Sequence, residues 1–248
     1  MKLQTPALSI YLMADRDTVE LADAAAAGGA TAFEIGIPFS DPLADGPTVQ
    51  RAAQRSLAGG MTTARALGVV SALRERLDQP LVPMTYAGPV MAYGEELFCA
   101  HAATAGANGL IVPDVPPDEA GELRAACAAN GLDLVPLLAP TSPVSRISLA
   151  CDGAGGFVYL VSVAGVTGAR GGLADGVGEF IARVRPHTDL PLLVGFGIAA
   201  PETARAALDA GADGVVIGSK AIEVAEEGGP AALERFVAGV ARAMERNP

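Results

Sequence analysis

The sequence predicts a (β/α)8 TIM barrel, one domain over residues 1–248, on three observations. Short apolar runs of strand character occur eight times and alternate with helical segments. Three passages, AAAAGGATAFEIG, AATAGANGLIVPD and AALDAGADGVVIG, each read as an Ala-rich amphipathic helix that closes on Gly and feeds a short apolar strand, the pattern of a repeated βα unit. A chain of 248 residues, 50% of them hydrophobic, is long enough to bury one large α/β core. The competing doubly wound open sheet is weakened because no G-x-G-x-x-G follows the first strand.

The first strand is expected at 8–13 (LSIYLM), an apolar run that stops where Asp15 brings charge, and a helix at 17–28 leads on to paired glycines. The second, 32–37 (AFEIGI), has strand composition yet carries Glu34 near its end. A helix at 62–77 precedes the third strand, 80–86 (PLVPMTY), and one at 94–105 precedes the fourth, 109–112 (GLIV). A helix at 117–129 leads into the fifth strand, 132–138 (LDLVPLL), and the sixth is 156–161 (GFVYLV). Helices at 175–185 and 201–210 flank the seventh strand, 190–194 (LPLLV). The eighth is 213–217 (DGVVI), and a last helix covers 229–245. Such short runs bounded by Gly, Pro or Asp suit strands buried on both faces, as a parallel sheet under helices requires.

Composition narrows the function. Charged residues make up 18% of the chain and the net charge is −11, which argues against a nucleic-acid surface and against a polybasic membrane anchor. An anionic substrate remains open, since backbone N–H groups at a helix start hold phosphate with few basic side chains. The start MKLQTPALSIYLMADRD lacks the pattern of a secretory signal, and no apolar stretch reaches the roughly 18 to 20 residues that span a bilayer, so a cytoplasmic protein is expected. Cys99, Cys127 and Cys151 are few and widely spaced, as ordinary buried or half-buried thiols are, and His101 and His187 lack ligand-spaced neighbours, so no metal site is expected.

In a barrel of this kind chemistry sits at the C-terminal ends of strands and in the loops after them. The unusual residues fall there: Glu34 late in the second strand, Tyr86 ending the third, Asp114 after the fourth and Tyr159 late in the sixth. A carboxylate in such a place is costly to desolvate, so its pKa rises and suits it to acid–base work, although a structural ion pair is the plainer alternative. Asp45 lies in the loop beyond, braced by Pro38, Pro42 and Pro47, and can converge on the same pocket, whereas Asp41 beside Ser40 fits a turn or a partner contact. Gly168, Gly197, Gly218 and Ser219 follow successive late strands, where barrels bind phosphate. Any one alone could be a turn residue, and their coincidence carries the reading. The stretch AGVTGARGGLADG, with Gly165, Thr167 and Arg170, reads either as a lid that excludes water or as a plain loop.

The stretch FEIGIPFSDPLADGPTVQRA closely resembles the signature of the tryptophan synthase alpha subunit. The resemblance continues in order through MTY, PDVPPDEA, APTSP, GFVYLVSVAGVTGAR, GFGI and IGS over nearly the whole chain. It implies a barrel that cleaves indole-3-glycerol phosphate to indole and glyceraldehyde 3-phosphate without metal or organic cofactor of its own. It also implies a beta subunit that holds pyridoxal phosphate in an alpha2beta2 heterotetramer. Glu34 matches the catalytic glutamate, Asp45 the aspartate on the indole N–H, and Tyr159 the tyrosine beside the glutamate. Tyr11, Met84, Tyr86, Ile111, Leu137 and Phe196 are the candidates to enclose indole, with core packing the plainer role for Met84 and Leu137. Pro38, Asp41, Pro42 and Gly88 are the candidates to meet the partner.

The chain also departs from the family pattern. It starts close to its first strand, where an extra N-terminal helix usually closes the barrel floor. ADRD (14–17), Gly88 and Val163 replace usual residues, and Lys220 follows Gly-Ser where a small residue is common. ADRD and Gly88 bear on the partner more than on the chemistry. Two other functions stay open: a stand-alone lyase releasing free indole, and a non-catalytic activator of a beta-type partner, against which the intact Glu34 and Asp45 argue. A Schiff-base aldolase would need a lysine ending a barrel strand, and Lys220 lies too late.

Overall fold

The computed structural model describes residues 1–161, 176–195 and 197–245. Its strands are β1 (Ala7–Met13), β2 (Ala32–Gly36), β3 (Leu81–Met84), β4 (Gly109–Leu110), β5 (Asp133–Leu134), β6 (Leu137–Leu138), β7 (Val158–Val161), β8 (Leu192–Gly195) and β9 (Gly214–Ile217). The helices are α1 (Thr18–Ala27), α2 (Pro47–Ala58), α3 (Thr63–Arg74), α4 (Ala87–Tyr93), α5 (Glu95–Thr104), α6 (Gly121–Ala129), α7 (Val144–Cys151), α8 (Val177–Val184), α9 (Pro201–Asp209) and α10 (Ser219–Met244).

All strand pairs are parallel, and they close a ring. One sheet runs β3-β2-β1-β9-β8-β7-β6, and β4-β5 fills the remaining arc, joined to β3 by a bridge between Met84 and Ile111. The expected fifth strand, 132–138, is interrupted: β5 pairs with β4, and β6 pairs with β7. Pro136 lies between the halves and has no N–H to give a ladder, so the strand changes neighbours there. The ring is the (β/α)8 barrel that the alternating pattern predicts.

The helices α2, α4 and α7 go beyond those read from the sequence. Each starts at or near a proline, which fits the first helical turn because that turn has no partner for its N–H. The last helix also starts earlier than 229. It runs from Ser219 and breaks at Gly229, whose φ of 65° departs from helical geometry, before Pro230 restarts it.

Alternation along the strands sorts the side chains into two sets. Leu8, Ile10 and Leu12 of β1, Phe33 and Ile35 of β2 and Val215 and Ile217 of β9 face the helices and join the large outer core. Ala7, Ala32, Val82, Ile111, Val135, Phe157, Tyr159, Leu193 and Val216 face inward and fill the barrel. Leu3, 8% exposed, packs into this inner set with Met1 beside it, so the segment ahead of β1 covers the N-terminal end of the barrel. Glu34 stands on the inner face between Ala32 and Gly36, which is where the apolar filling gives way to the site.

Candidate active site

A cavity of about 1050 Å³ opens at the C-terminal ends of the strands. It is lined by Tyr11, Glu34, Asp45, Met84, Leu137, Tyr159, Gly197, Gly218 and Ser219, so residues chosen from seven separate passages of sequence meet in one place. Two indole-pocket candidates do not line it. Ile111 is fully buried and packs with the inner set that includes Val82 and Val135. Tyr86, 3% exposed, sits behind the Asp45 loop, its hydroxyl accepting the Ala44 N–H at 3.1 Å. Gly165, Thr167, Gly168, Arg170 and Phe196 lie outside the described residues.

Glu34 is 1% exposed. Its Oε1 accepts a long hydrogen bond of 3.5 Å from the Ser9 hydroxyl, and its Oε2 has no partner among the described residues. Burial pushes its carboxyl up to about 8, against the smaller opposing effect of Ser9, because a charge stripped of water is disfavoured when so little replaces the water. The group is therefore a protonated acid at neutral pH, with one oxygen free for a ligand.

Asp45 is held differently. Its loop turns at Pro42, whose carbonyl accepts the Asp45 N–H at 3.3 Å, while the Gln50 side chain donates to the Asp45 carbonyl at 2.8 Å. Pro47 then opens α2. Burial raises the Asp45 pKa, and a hydrogen bond from the Tyr86 hydroxyl opposes that rise by favouring the anion. The two carboxylates thus differ in environment, one dry and nearly unpartnered, the other half-buried and held by a phenol. Tyr11 and Tyr159 stay protonated, raised first by burial and then by Asp45 at Tyr11 and by Glu34 at Tyr159.

Sequence reasoning did not single out Ser9, Gly36 or Gly195. A Cβ on Gly36 would overlap the Tyr11 hydroxyl, and one on Gly195 would overlap the Tyr159 hydroxyl, so each glycine makes room for a tyrosine of the neighbouring strand. The only signal for Ser9 is a hydroxyl on the inward register of an otherwise apolar strand. Asp114 also lines the cavity, but its Oδ1 is engaged by the Ala87 N–H at 2.9 Å.

Of the partner candidates, Asp41 and Gly88 are exposed and Pro42 is half-buried, whereas Pro38 is buried and offers no surface. Leu43 (88% exposed) and Met91 (67%) extend the exposed set on the loop after β2 and on α4. Gly88 lies against the Phe39 ring, which in turn packs on Tyr86 with centroids 5.6 Å apart.

The arrangement suits a ligand with a flat apolar part among Met84, Leu137 and the tyrosines and an anionic end at Gly197, Gly218 and the start of α10. A neutral acid and a separately held carboxylate then address the middle of that ligand.

Residues 6–246 match the family model for the tryptophan synthase alpha chain. The tryptophan synthase alpha chain of Methanosarcina mazei is 49% identical over 226 residues, 90% of this chain and 82% of the relative. That of Chloroflexus aurantiacus is 45% identical over 250 residues, 96% of this chain and 92% of the relative. Among solved structures, a chain from the tryptophan synthase a2b2 complex of Pyrococcus furiosus superposes with a TM-score of 0.91 at 34% identity, covering 96% of this chain and 99% of that one. The tryptophan synthase subunit alpha of Legionella pneumophila gives 0.86 at 33% identity, covering 96% and 92%.

Proposed function

The chain belongs to the tryptophan synthase alpha chain family, and on that premise we propose that Glu34 and Asp45 divide the work of its reaction between them. The reaction is the retro-aldol cleavage of indole-3-glycerol phosphate to indole and glyceraldehyde 3-phosphate, a carbon–carbon lyase step of tryptophan biosynthesis. Breaking the bond at indole C3 requires that carbon to gain a proton while the adjacent side-chain hydroxyl loses one to become the aldehyde. Glu34, neutral at the outset, gives its proton to C3 and then takes the hydroxyl proton, so it ends as it began. Asp45 as the anion accepts a hydrogen bond from the ring N–H and stabilises the positive charge that C3 protonation places on the indole. Tyr159 packs beside Glu34 and keeps water from it. The phosphate rests at Gly197, Gly218 and Ser219, with Gly168 as a further candidate.

The observation that carries this division is the Glu34 carboxyl, buried in the cavity with one oxygen unpartnered among the described residues and its pKa pushed up to about 8. Glu34→Gln tests it. The variant should still bind indole-3-glycerol phosphate while single-turnover cleavage falls by at least about 10²-fold, the usual contribution of a general acid–base. Near-wild-type turnover would overturn the assignment.

Alpha chains of this family carry no cofactor, and pyridoxal phosphate belongs to the beta subunit with which they assemble. Asp41, Pro42, Gly88 and the exposed Leu43 and Met91 on the same rim are our candidates for that contact. We place the working protein in the cytoplasm and treat residues 1–248 as one domain. No observation favours a stand-alone lyase.

A further inference from the structure

Building on that reading, we infer that Lys220 is a direct ligand of the substrate phosphate and adds a full positive charge to the cradle at Gly197, Gly218 and Ser219. α10 begins at Ser219, so Lys220 stands in its first turn. A cation gains nothing there from the helix, because the unpaired N–H groups already make a helix start positive. The position therefore calls for a reason outside helix stability.

The cavity supplies one. Lys220 lines it together with Gly197, Gly218 and Ser219, and its side chain is 35% exposed. Glu34, Asp45, Asp114 and Glu223 line the same cavity, in a chain of net charge −11, so an arriving dianion meets mainly carboxyl groups. Among the described lining residues the other cations are Arg124 and Arg146, which belong to α6 and α7 and are engaged by the Asp152 carbonyl and by Asp118. Lys220 is the cation on the α10 side.

Its present partner also fits an exchange. Lys220 Nζ lies 3.4 Å from Glu223 Oε2, while Glu223 Oε1 accepts from the Thr48 hydroxyl at 3.2 Å. Thr48 holds the carboxylate at the rim, and the carboxylate holds the lysine. A half-exposed pair of this kind is weak, so a phosphate with its greater charge and three acceptor oxygens displaces Glu223 as the lysine's main partner. The ammonium has three donors, so it need not leave Glu223 entirely.

The test compares wild type, Lys220→Met and Lys220→Arg in two assays: calorimetric titration with inorganic phosphate, and steady-state cleavage of indole-3-glycerol phosphate. Lys220→Met is expected to weaken phosphate binding and to raise KM by about 10-fold or more, the usual effect of losing a charge-assisted hydrogen bond, with kcat unchanged. Lys220→Arg should retain most of the binding, and the salt dependence of KM should flatten in the Met variant alone. Unchanged phosphate affinity in Lys220→Met, or no phosphate binding by wild type, would overturn the inference. Lysine-dependent phosphate binding by a wild-type chain that releases no indole would leave the inference standing and instead remove the catalytic reading on which it was built.

Discussion

The Tyr11 hydroxyl occupies the space into which a side chain on Gly36 would project. Tyr11 stands opposite Glu34 in the register of β1 and β2, and Gly36 follows Glu34 on the same face, so the ring leans along β2 past the carboxylate toward the mouth of the barrel. Tyr159 repeats the relationship on β7 and β8, opposite Leu193 and leaning over Gly195. Two glycines thereby set where two phenols stand around Glu34.

Gly36→Ala should therefore cost about 1–3 kcal/mol in urea unfolding, the range for overpacking a filled core, and should reduce kcat/KM by displacing the Tyr11 ring. In a Tyr11→Leu background the same substitution should cost almost nothing, because the overlapping ring is gone. Equal costs in the two backgrounds would mean that Tyr11 is not what Gly36 accommodates.

Stability should depend on pH through Glu34. Its carboxyl goes from an ordinary 4.5 to about 8 on folding, so between these values the folded chain binds the extra proton. Stability from this group is complete below pH 4.5 and is lost as pH rises through 8. Glu34→Gln removes the dependence. Its advantage over wild type should be near zero in acid and grow to a few kcal/mol above the folded pKa. Parallel stability curves for the two proteins across this range would contradict a buried, proton-binding Glu34.

Tyr86→Phe separates the second carboxylate from its donor. Because that hydrogen bond favours the Asp45 anion, its loss should raise the Asp45 pKa further and move the acidic limb of kcat/KM to higher pH, with little change in the alkaline limb set by Glu34. The pH profile of the purified variant checks this. An unmoved acidic limb would show that Tyr86 does not tune Asp45.

Much of the barrel was legible because its strands are short apolar runs, three of them fed by an Ala-rich helix that closes on Gly, which is a local signal. What escaped was set by neighbours distant in sequence or by local signals that compete. Pro136 splits a run that looks continuous, since pairing with β4 or β7 is decided by which residue can donate to the ladder. α4 was hidden by Pro89 inside its first turn. At the site, Glu34 and Asp45 stand out as carboxylates among apolar and turn residues. The service of Gly36 to Tyr11, or of Ser9 to Glu34, exists only once the cross-strand register is known. Ile111 and Tyr86 are apolar or aromatic at strand ends, as pocket residues are. Only the direction of their side chains puts them outside the cavity, Ile111 in the inner core and Tyr86 behind the Asp45 loop.

The central claim is that this cavity cleaves indole-3-glycerol phosphate as the alpha half of a two-enzyme complex. Indole release by the purified chain, measured alone and with a cognate beta subunit titrated in, tests it most directly. The account predicts indole formation that rises strongly as the beta subunit is added, with Leu43→Asp and Met91→Asp weakening that stimulation but not the basal rate. No indole in either condition would contradict it.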